Sequence, residues 1–213
     1  LYLDAPGLHQ DKELVLSCDE KTGIFIRRRK HASQPCLPGM PRRREHEYVR
    51  LGMRQLTASF CVPTGRVVHD LTMTHTSADF VAHLRHVVEE NPRAKRYHWV
   101  VDNNPTHSTM AVCQAVAQMS GLVLNEDALS SAVKRREWLS EASHKHVFHF
   151  TPVHGSWLNQ VEMFVGVFSR RLLSRDDFAS EGAFQTRVTE WMAYYNAEQA
   201  HPYRWTYAGT PLV

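Results

Sequence analysis

Leu14-Val15-Leu16-Ser17-Cys18-Asp19-Glu20 is the stretch whose reading decides the fold: a short, nearly unbroken apolar run that ends in two acids. Followed by the turn signal Lys21-Thr22-Gly23, it reads as a strand buried on both faces, as in a sheet covered by helices on either side. Asp19 is therefore expected at or near the end of a core strand. Tyr97-His98-Trp99-Val100-Val101 repeats the pattern and runs into Asp102. Two acids thus terminate two core strands.

Outward from these strands the chain reads as a mixed α/β order. Residues 31–50 are rich in Pro, Arg and His without period, and read as a long basic loop. Leu56 to Val62 alternates through Ala58 and Phe60, and Pro63-Thr64-Gly65 turns it into a second run ending near Leu71, a hairpin. Ser77 caps a helix that carries Phe80, Leu84, Val87 and Val88 and closes at Asn91-Pro92. After Asp102, Thr106 caps a second helix over about 107–119 that stops before Gly121. Residues 122–145 are charged and helix-prone, with apolar positions only around Leu129, Val133 and Trp138, and read as a surface insertion. Val147 to Phe150 is a short strand ended by Pro152. A helix from near Ser156 carries Leu158, Val161, Val165, Phe168 and Leu172 on one face and Glu162 within it. A last helix from Ser180 turns Phe184, Val188, Trp191, Met192 and Tyr195 inward, and the tail from His201 is irregular. Antiparallel strands come first and parallel crossovers later, with no internal repeat.

With 213 residues, 43% of them hydrophobic, the chain can build one sizeable core, and a single domain over 1–213 is expected. No stretch approaches the roughly 20 apolar residues of a membrane span, and no secretory signal opens the chain, so a membrane is not an expected partner. Cys18, Cys36, Cys61 and Cys113 include no Cys-x-x-Cys pair and read as reduced thiols. The net charge is only +3, but Arg27-Arg28-Arg29-Lys30, Arg42-Arg43-Arg44, Lys134-Arg135-Arg136 and Arg170-Arg171 are clustered. Four such runs in one domain point toward a polyanion, although each alone is also an ordinary solvated surface.

Ligands of open α/β sheets gather beyond the carboxyl ends of the strands. Asp19 and Asp102 would share a site there if their strands are parallel neighbours, with Glu162 added from a covering helix. Three carboxylates are hard oxygen ligands with too much negative charge to sit together unpaired, which makes Mg²⁺ or Mn²⁺ the natural partner. Two such ions about 4 Å apart suit an in-line displacement at phosphorus. A strand-end Asp is also a common turn former, so the residues alone leave both readings open.

Three segments resemble the bacterial insertion-sequence branch of the mariner superfamily of DDE transposases. They are Ser17-Cys18-Asp19-Glu20-Lys21-Thr22, Val101-Asp102-Asn103-Asn104-Pro105-Thr106-His107, and the most specific, Phe150-Thr151-Pro152-Val153-His154-Gly155-Ser156-Trp157-Leu158-Asn159-Gln160-Val161-Glu162. Tyr48-Val49-Arg50-Leu51-Gly52, the Val62 to Gly65 turn and Tyr194-Tyr195-Asn196 with the tail to Thr206 support it, so the likeness spans nearly the whole chain. It implies an RNase H-like fold: a mixed sheet, an antiparallel hairpin and then parallel strands, flanked by helices. It also implies Asp19, Asp102 and Glu162 as catalytic and metal-binding acids with two Mg²⁺ or Mn²⁺ ions, Asp19 bridging them.

The implied activity is metal-dependent cleavage and strand transfer on double-stranded DNA, transposon ends and target alike, with a homodimer on DNA and a cytoplasmic, nucleoid-associated location. A nuclease on the same fold without strand transfer, or a non-catalytic DNA-binding module, are the alternatives. The interval from Asp102 to Glu162 is longer than the family pattern, which a helical insertion at about 120–145 would explain. Family members carry a helix-turn-helix region upstream, and none precedes Leu1, so a catalytic core without its sequence-specific region is expected.

Around the acids, Asn103, His107, His154 and Asn159 are candidates to hold the carboxylates or touch phosphate, or else local caps and hydrogen-bonding residues. Arg42, Arg43, Arg44, Arg170 and Arg171 are candidate phosphate contacts. Trp157 reads as core, with stacking on a base the alternative. His144, His146 and His149 would bind zinc only if presented on one face, and strand alternation separates His146 from His149.

Overall fold

The computed structural model of the chain describes residues 1–175 and 177–207. Five strands form one sheet in the order β3-β2-β1-β4-β5: β1 (Glu13–Arg29), β2 (Tyr48–Cys61), β3 (Val67–Thr72), β4 (Arg96–Val101) and β5 (His146–Phe150). β1, β2 and β3 pair antiparallel, whereas β4 joins β1 in parallel and β5 joins β4 in parallel. The helices are α1 (Ala5–Gln10), α2 (Ser77–Glu90), α3 (Met110–Ser120), α4 (Ala132–Leu139), α5 (Val161–Arg171) and α6 (Glu181–Tyr194).

Alternation along β1 builds a core on each face of the sheet. Leu14, Leu16 and Cys18 join Tyr97, Trp99 and Val101 of β4 and the apolar stripes of α2 and α3, with Phe80, Leu84, Val112 and Val116 among them. Val15, Ile24 and Ile26 join Leu56, Ala58 and Phe60 of β2 under α5 and α6, which supply Phe164, Phe168, Phe184, Val188 and Met192. α2 is docked by a polar network as well. His83, fully buried, is satisfied on both ring nitrogens by Ser59 Oγ at 2.8 Å and Asp70 Oδ2 at 2.6 Å.

Several boundaries differ from the sequence reading. β1 does not stop at Asp19 but continues to Arg29. Lys21-Thr22-Gly23 is an irregularity in the β1–β2 register, opened by Gly23 at φ +68°, whose N–H is taken by Gln55 Oε1 at 2.9 Å. Asp19 is still at an end, that of the parallel ladder, because β1–β4 pairing finishes at Ser17↔Val100 and Asp102 follows β4 directly. β2 begins at Tyr48, within the span read as loop, so β1 and β2 reach past the sheet as a two-stranded ribbon. The intervening loop carries isolated bridges, Gln34↔Arg43 and Leu37↔Met40.

The α2 cap is Thr76, which forms a reciprocal capping box with Asp79, so Ser77 is the first helical residue. A 3₁₀ turn (Pro105–Ser108) follows Asp102 under an Asn104 cap, and Thr109 caps α3; Gly121, at φ +67°, ends it. Residues 122–145 hold α4 and are mostly exposed, with Leu129 and Leu139 buried and Val133 at the surface. Ser156 opens a second 3₁₀ turn (Ser156–Leu158), α5 starting only at Val161. Trp157, read as core, is exposed. A π-helical turn (Tyr195–Gln199) extends α6, the tail from Ala200 is irregular as far as Tyr207, and residues 208–213 lie outside the described ones. No helix of the described residues is long and apolar enough to cross a membrane.

Candidate active site

The two faces of β1 sort the acids. Asp19 follows Val15 and Ser17 onto the α5 side, and Glu20 follows Leu16 and Cys18 onto the α2–α3 side. On the α5 side, Asn159 is fully buried and donates from Nδ2 to the Cys18 carbonyl at 2.9 Å. Its Oδ1 accepts from Ser17 Oγ, which itself accepts from the Val161 N–H at 2.8 Å. Asn159 therefore pins the start of α5 to the residues just before Asp19, and Glu162 lies in the first turn so placed.

On the other side, His107 is fully buried between two carboxylates. Its Nδ1 faces Asp102 Oδ1 at 3.0 Å and its Nε2 faces Glu20 Oε1 at 3.0 Å. A ring with a carboxylate at each nitrogen donates from both, so it is an imidazolium. Burial opposes that charge, but the bonds to Asp102 and Glu20 outweigh it and carry the pKa up to about 10. Asp102 is held below the usual carboxylate range, first by the His107 hydrogen bond; Asn104 N–H also donates to its Oδ1 at 2.9 Å.

Asn103 has a different task. Its Nδ2 donates to the Thr151 carbonyl at 2.6 Å, and Arg136 of α4 grips it at Oδ1 (3.0 Å) and at its carbonyl (2.9 Å). Arg135 donates to the carbonyls of Ser108 and Leu129. Two residues of the Lys134-Arg135-Arg136 run are thus committed to the fold and not to an external anion.

Asp19 shows the opposite electrostatics to Asp102. Burial first, and then the charges of Asp102, Glu20 and Glu162, push its carboxyl up to about 7, against one relieving bond from the Glu20 N–H at 2.8 Å. The three acids named by the sequence therefore feel one another. Among the described residues no group of three or more His, Cys, Asp or Glu side chains is drawn together closely enough to hold a metal ion as it stands. Asp102 takes both of its hydrogen bonds on Oδ1, and Glu162 is exposed.

The other candidates are dispersed. His154 is exposed at φ +62°. His149 pairs with His98 at 3.0 Å, whereas His146 stacks on Tyr97 and accepts from Trp99, so the histidine series is divided between the sheet's faces. Arg42, Arg43 and Arg44 are exposed on the long loop, and Arg170 and Arg171 on the last turn of α5. Arg44 reaches the Ser174 carbonyl at 3.4 Å, which brings the loop beside the end of α5. Sequence reasoning gave no role to Glu20 or Ser17, and it read Arg136 only as part of a basic run. Glu20 was visible as an acid beside Asp19, but nothing in one sequence pairs it with a histidine 87 positions away.

This arrangement has relatives. A family model for the DDE superfamily endonucleases matches residues 15–185. Among solved structures, the catalytic domain of Mos1 mariner transposase superposes with a TM-score of 0.53 at 14% identity, covering 90% of this chain and 77% of that one. The Mos1 transposase paired-end complex with left transposon end gives 0.52 at 17%, covering 84% of this chain and 47% of that one, as does the Mos1 strand transfer complex. At such identities the likeness is one of fold, and the chain spans about half the length of the latter two. A comparison with curated proteins gives no match. The chain belongs to the DDE superfamily endonucleases.

Proposed function

We propose that this member of the DDE superfamily endonucleases is the catalytic domain of a cut-and-paste transposase. Asp19, Asp102 and Glu162 would carry the metal-dependent cleavage of a DNA strand and its joining to a target. One observation carries the reading: Asp19 is pushed up to about 7 by burial and by Asp102, Glu20 and Glu162, the mark of a carboxylate buried among other carboxylates. An all-oxygen, acidic donor set of that kind fits Mg²⁺ or Mn²⁺. Asp19, Asp102 and Glu162 would hold the metal ions. When bound, such ions activate an attacking oxygen and stabilise the leaving one in an in-line displacement.

The chain's own residues supply position and charge. Asn159 keeps the start of α5, and so Glu162, against β1. His107 occupies one oxygen of Asp102 and keeps that carboxylate ionised, while Arg136 and Thr151 fix the backbone after it through Asn103. Arg42, Arg43 and Arg44 with Arg170 and Arg171 are the phosphate contacts of this reading, on a loop and a helix end that meet at Ser174. A transposon has two ends, so two copies of the domain would act on one DNA.

Glu162→Gln tests the assignment, because it removes a charge at nearly constant volume from an exposed position. Mn²⁺- or Mg²⁺-dependent nicking of duplex DNA should fall by at least about 10²-fold with melting unchanged. Cleavage at the wild-type rate would overturn the reading. Joining of a DNA 3′-hydroxyl to a plasmid separates a transposase domain from a nuclease that only hydrolyses.

A further inference from the structure

Trp157 is 59% exposed, and Val153 and Met163 near it in sequence are 76% and 42% exposed. That display is unusual beside a helix whose Val161, Phe164 and Phe168 are fully buried. It is also rigid. Gly155 N–H bonds to the Pro152 carbonyl at 2.8 Å, Leu158 N–H to Gly155 at 3.0 Å and Asn159 N–H to Ser156 at 2.8 Å. Two residues beyond the indole, Asn159 is tied to β1 at the Cys18 carbonyl. Tyr207 meets the indole T-shaped, with centroids 5.1 Å apart, and not face to face. Glu162 follows five residues after Trp157.

We propose that Trp157 is a base-stacking residue, on which an unpaired nucleobase beside the cleaved phosphodiester lies. The proposal rests on the reading of Glu162 as a catalytic acid. Inside a duplex both faces of a base are covered by its neighbours, so an indole finds a free face only where a nucleotide is unpaired. Cleavage and joining create such ends. Every base has a π-face, so the contact tolerates any sequence, while exposed arginines hold the flanking phosphates.

The test uses this chain and a duplex with a short single-stranded tail carrying 2-aminopurine, without divalent metal so that no cleavage intervenes. Wild type should quench the probe at one tail position. Trp157→Ala should lose that quenching and bind about 5- to 100-fold more weakly, and Trp157→Phe should stay within about three-fold of wild type. An abasic nucleotide at the quenched position should weaken wild type by the same factor and the Ala variant no further. Equal weakening of the Ala variant on intact and abasic tails, or no weakening at all, overturns the proposal. The failures are separable: a silent Trp157→Ala beside an inactive Glu162→Gln sinks stacking alone, whereas cleavage by Glu162→Gln sinks the parent reading and the stacking site with it.

Discussion

Replacing Asp19 by Asn should stabilise the fold while abolishing cleavage. The Asp19 carboxyl titrates at about 7 in the folded chain against 3.8 ordinarily. Between those values the folded chain holds a proton that the unfolded chain has released. Stability therefore falls as pH rises through that window, and the full penalty stands above pH 7. At about 1.36 kcal/mol per pH unit the penalty reaches about 4 kcal/mol, and water at the partly exposed carboxyl trims it to roughly 2–4 kcal/mol. Asn carries no charge and keeps an oxygen for the Glu20 N–H, now at 2.8 Å. In thermal melts at pH 8, Asp19→Asn should gain roughly 4–15 °C, and the gain should shrink as pH falls toward 4. Mn²⁺ should raise the melting temperature of wild type more than that of the variant, since a ligand that binds only the folded state stabilises it by mass action. No gain at pH 8, or a gain that persists undiminished near pH 4, would refute the electrostatic reasoning.

Asn159→Leu should destabilise by about 2–5 kcal/mol, because the buried Cys18 carbonyl and Ser17 hydroxyl each lose a partner; urea unfolding measures this, and a change within about 0.5 kcal/mol would remove Asn159 as the pin of α5. Gly65→Ala should lose at least about 2 kcal/mol, since Gly65 sits at φ +75° and an added Cβ would stand 2.1 Å from the His201 carbonyl oxygen; an unchanged melt would show that the tail does not pack on the β2–β3 turn.

Legibility in the sequence tracked burial. Leu14 to Cys18 and Tyr97 to Val101 were readable as strands because both faces of each are covered, leaving an apolar run with an acid at its end. The rest of β1 was not readable, since Lys21-Thr22-Gly23 looks the same in a turn as in a bulge, and only tertiary pairing with β2 distinguishes them. The start of β2 was hidden for a related reason: Tyr48, Val49 and Arg50 lie on a ribbon beyond the sheet and are all exposed, so no alternation marks them. The helical character of residues 122–145 was readable from their composition, whereas the inward contacts of Leu129, Trp138 and Leu139 and the bonds of the arginines to backbone carbonyls were not. In the site, Asp19 and Asp102 came from strand ends and from motif wording, Glu162 mainly from the wording, and Asn159 was named beside them. Its action was not foreseeable, because it depends on Ser17 and Cys18, more than 140 positions away.

What holds the acids together is therefore not acidic. Asp19, Asp102, Glu20 and Glu162 repel one another, and a fold optimised for stability alone would disperse them. Three neutral or cationic side chains oppose that tendency from different elements: Asn159 fastens α5 to β1, Arg136 fastens α4 to the backbone after β4, and His107 sits between Glu20 and Asp102 as a fixed positive charge. Each acts where the sheet has stopped pairing, since β1 and β4 part after Ser17 and Val100 and backbone bonds between them no longer set the spacing. Their distribution explains why Asp19 and Asp102 shift in opposite directions: Asp102 has the His107 imidazolium at its oxygen, whereas the Asp19 carboxylate is buried beside other carboxylates and takes a bond from a neutral backbone N–H. The least compensated charge thus lies at the end of the parallel ladder, on the acid that burial and three other carboxylates all disfavour.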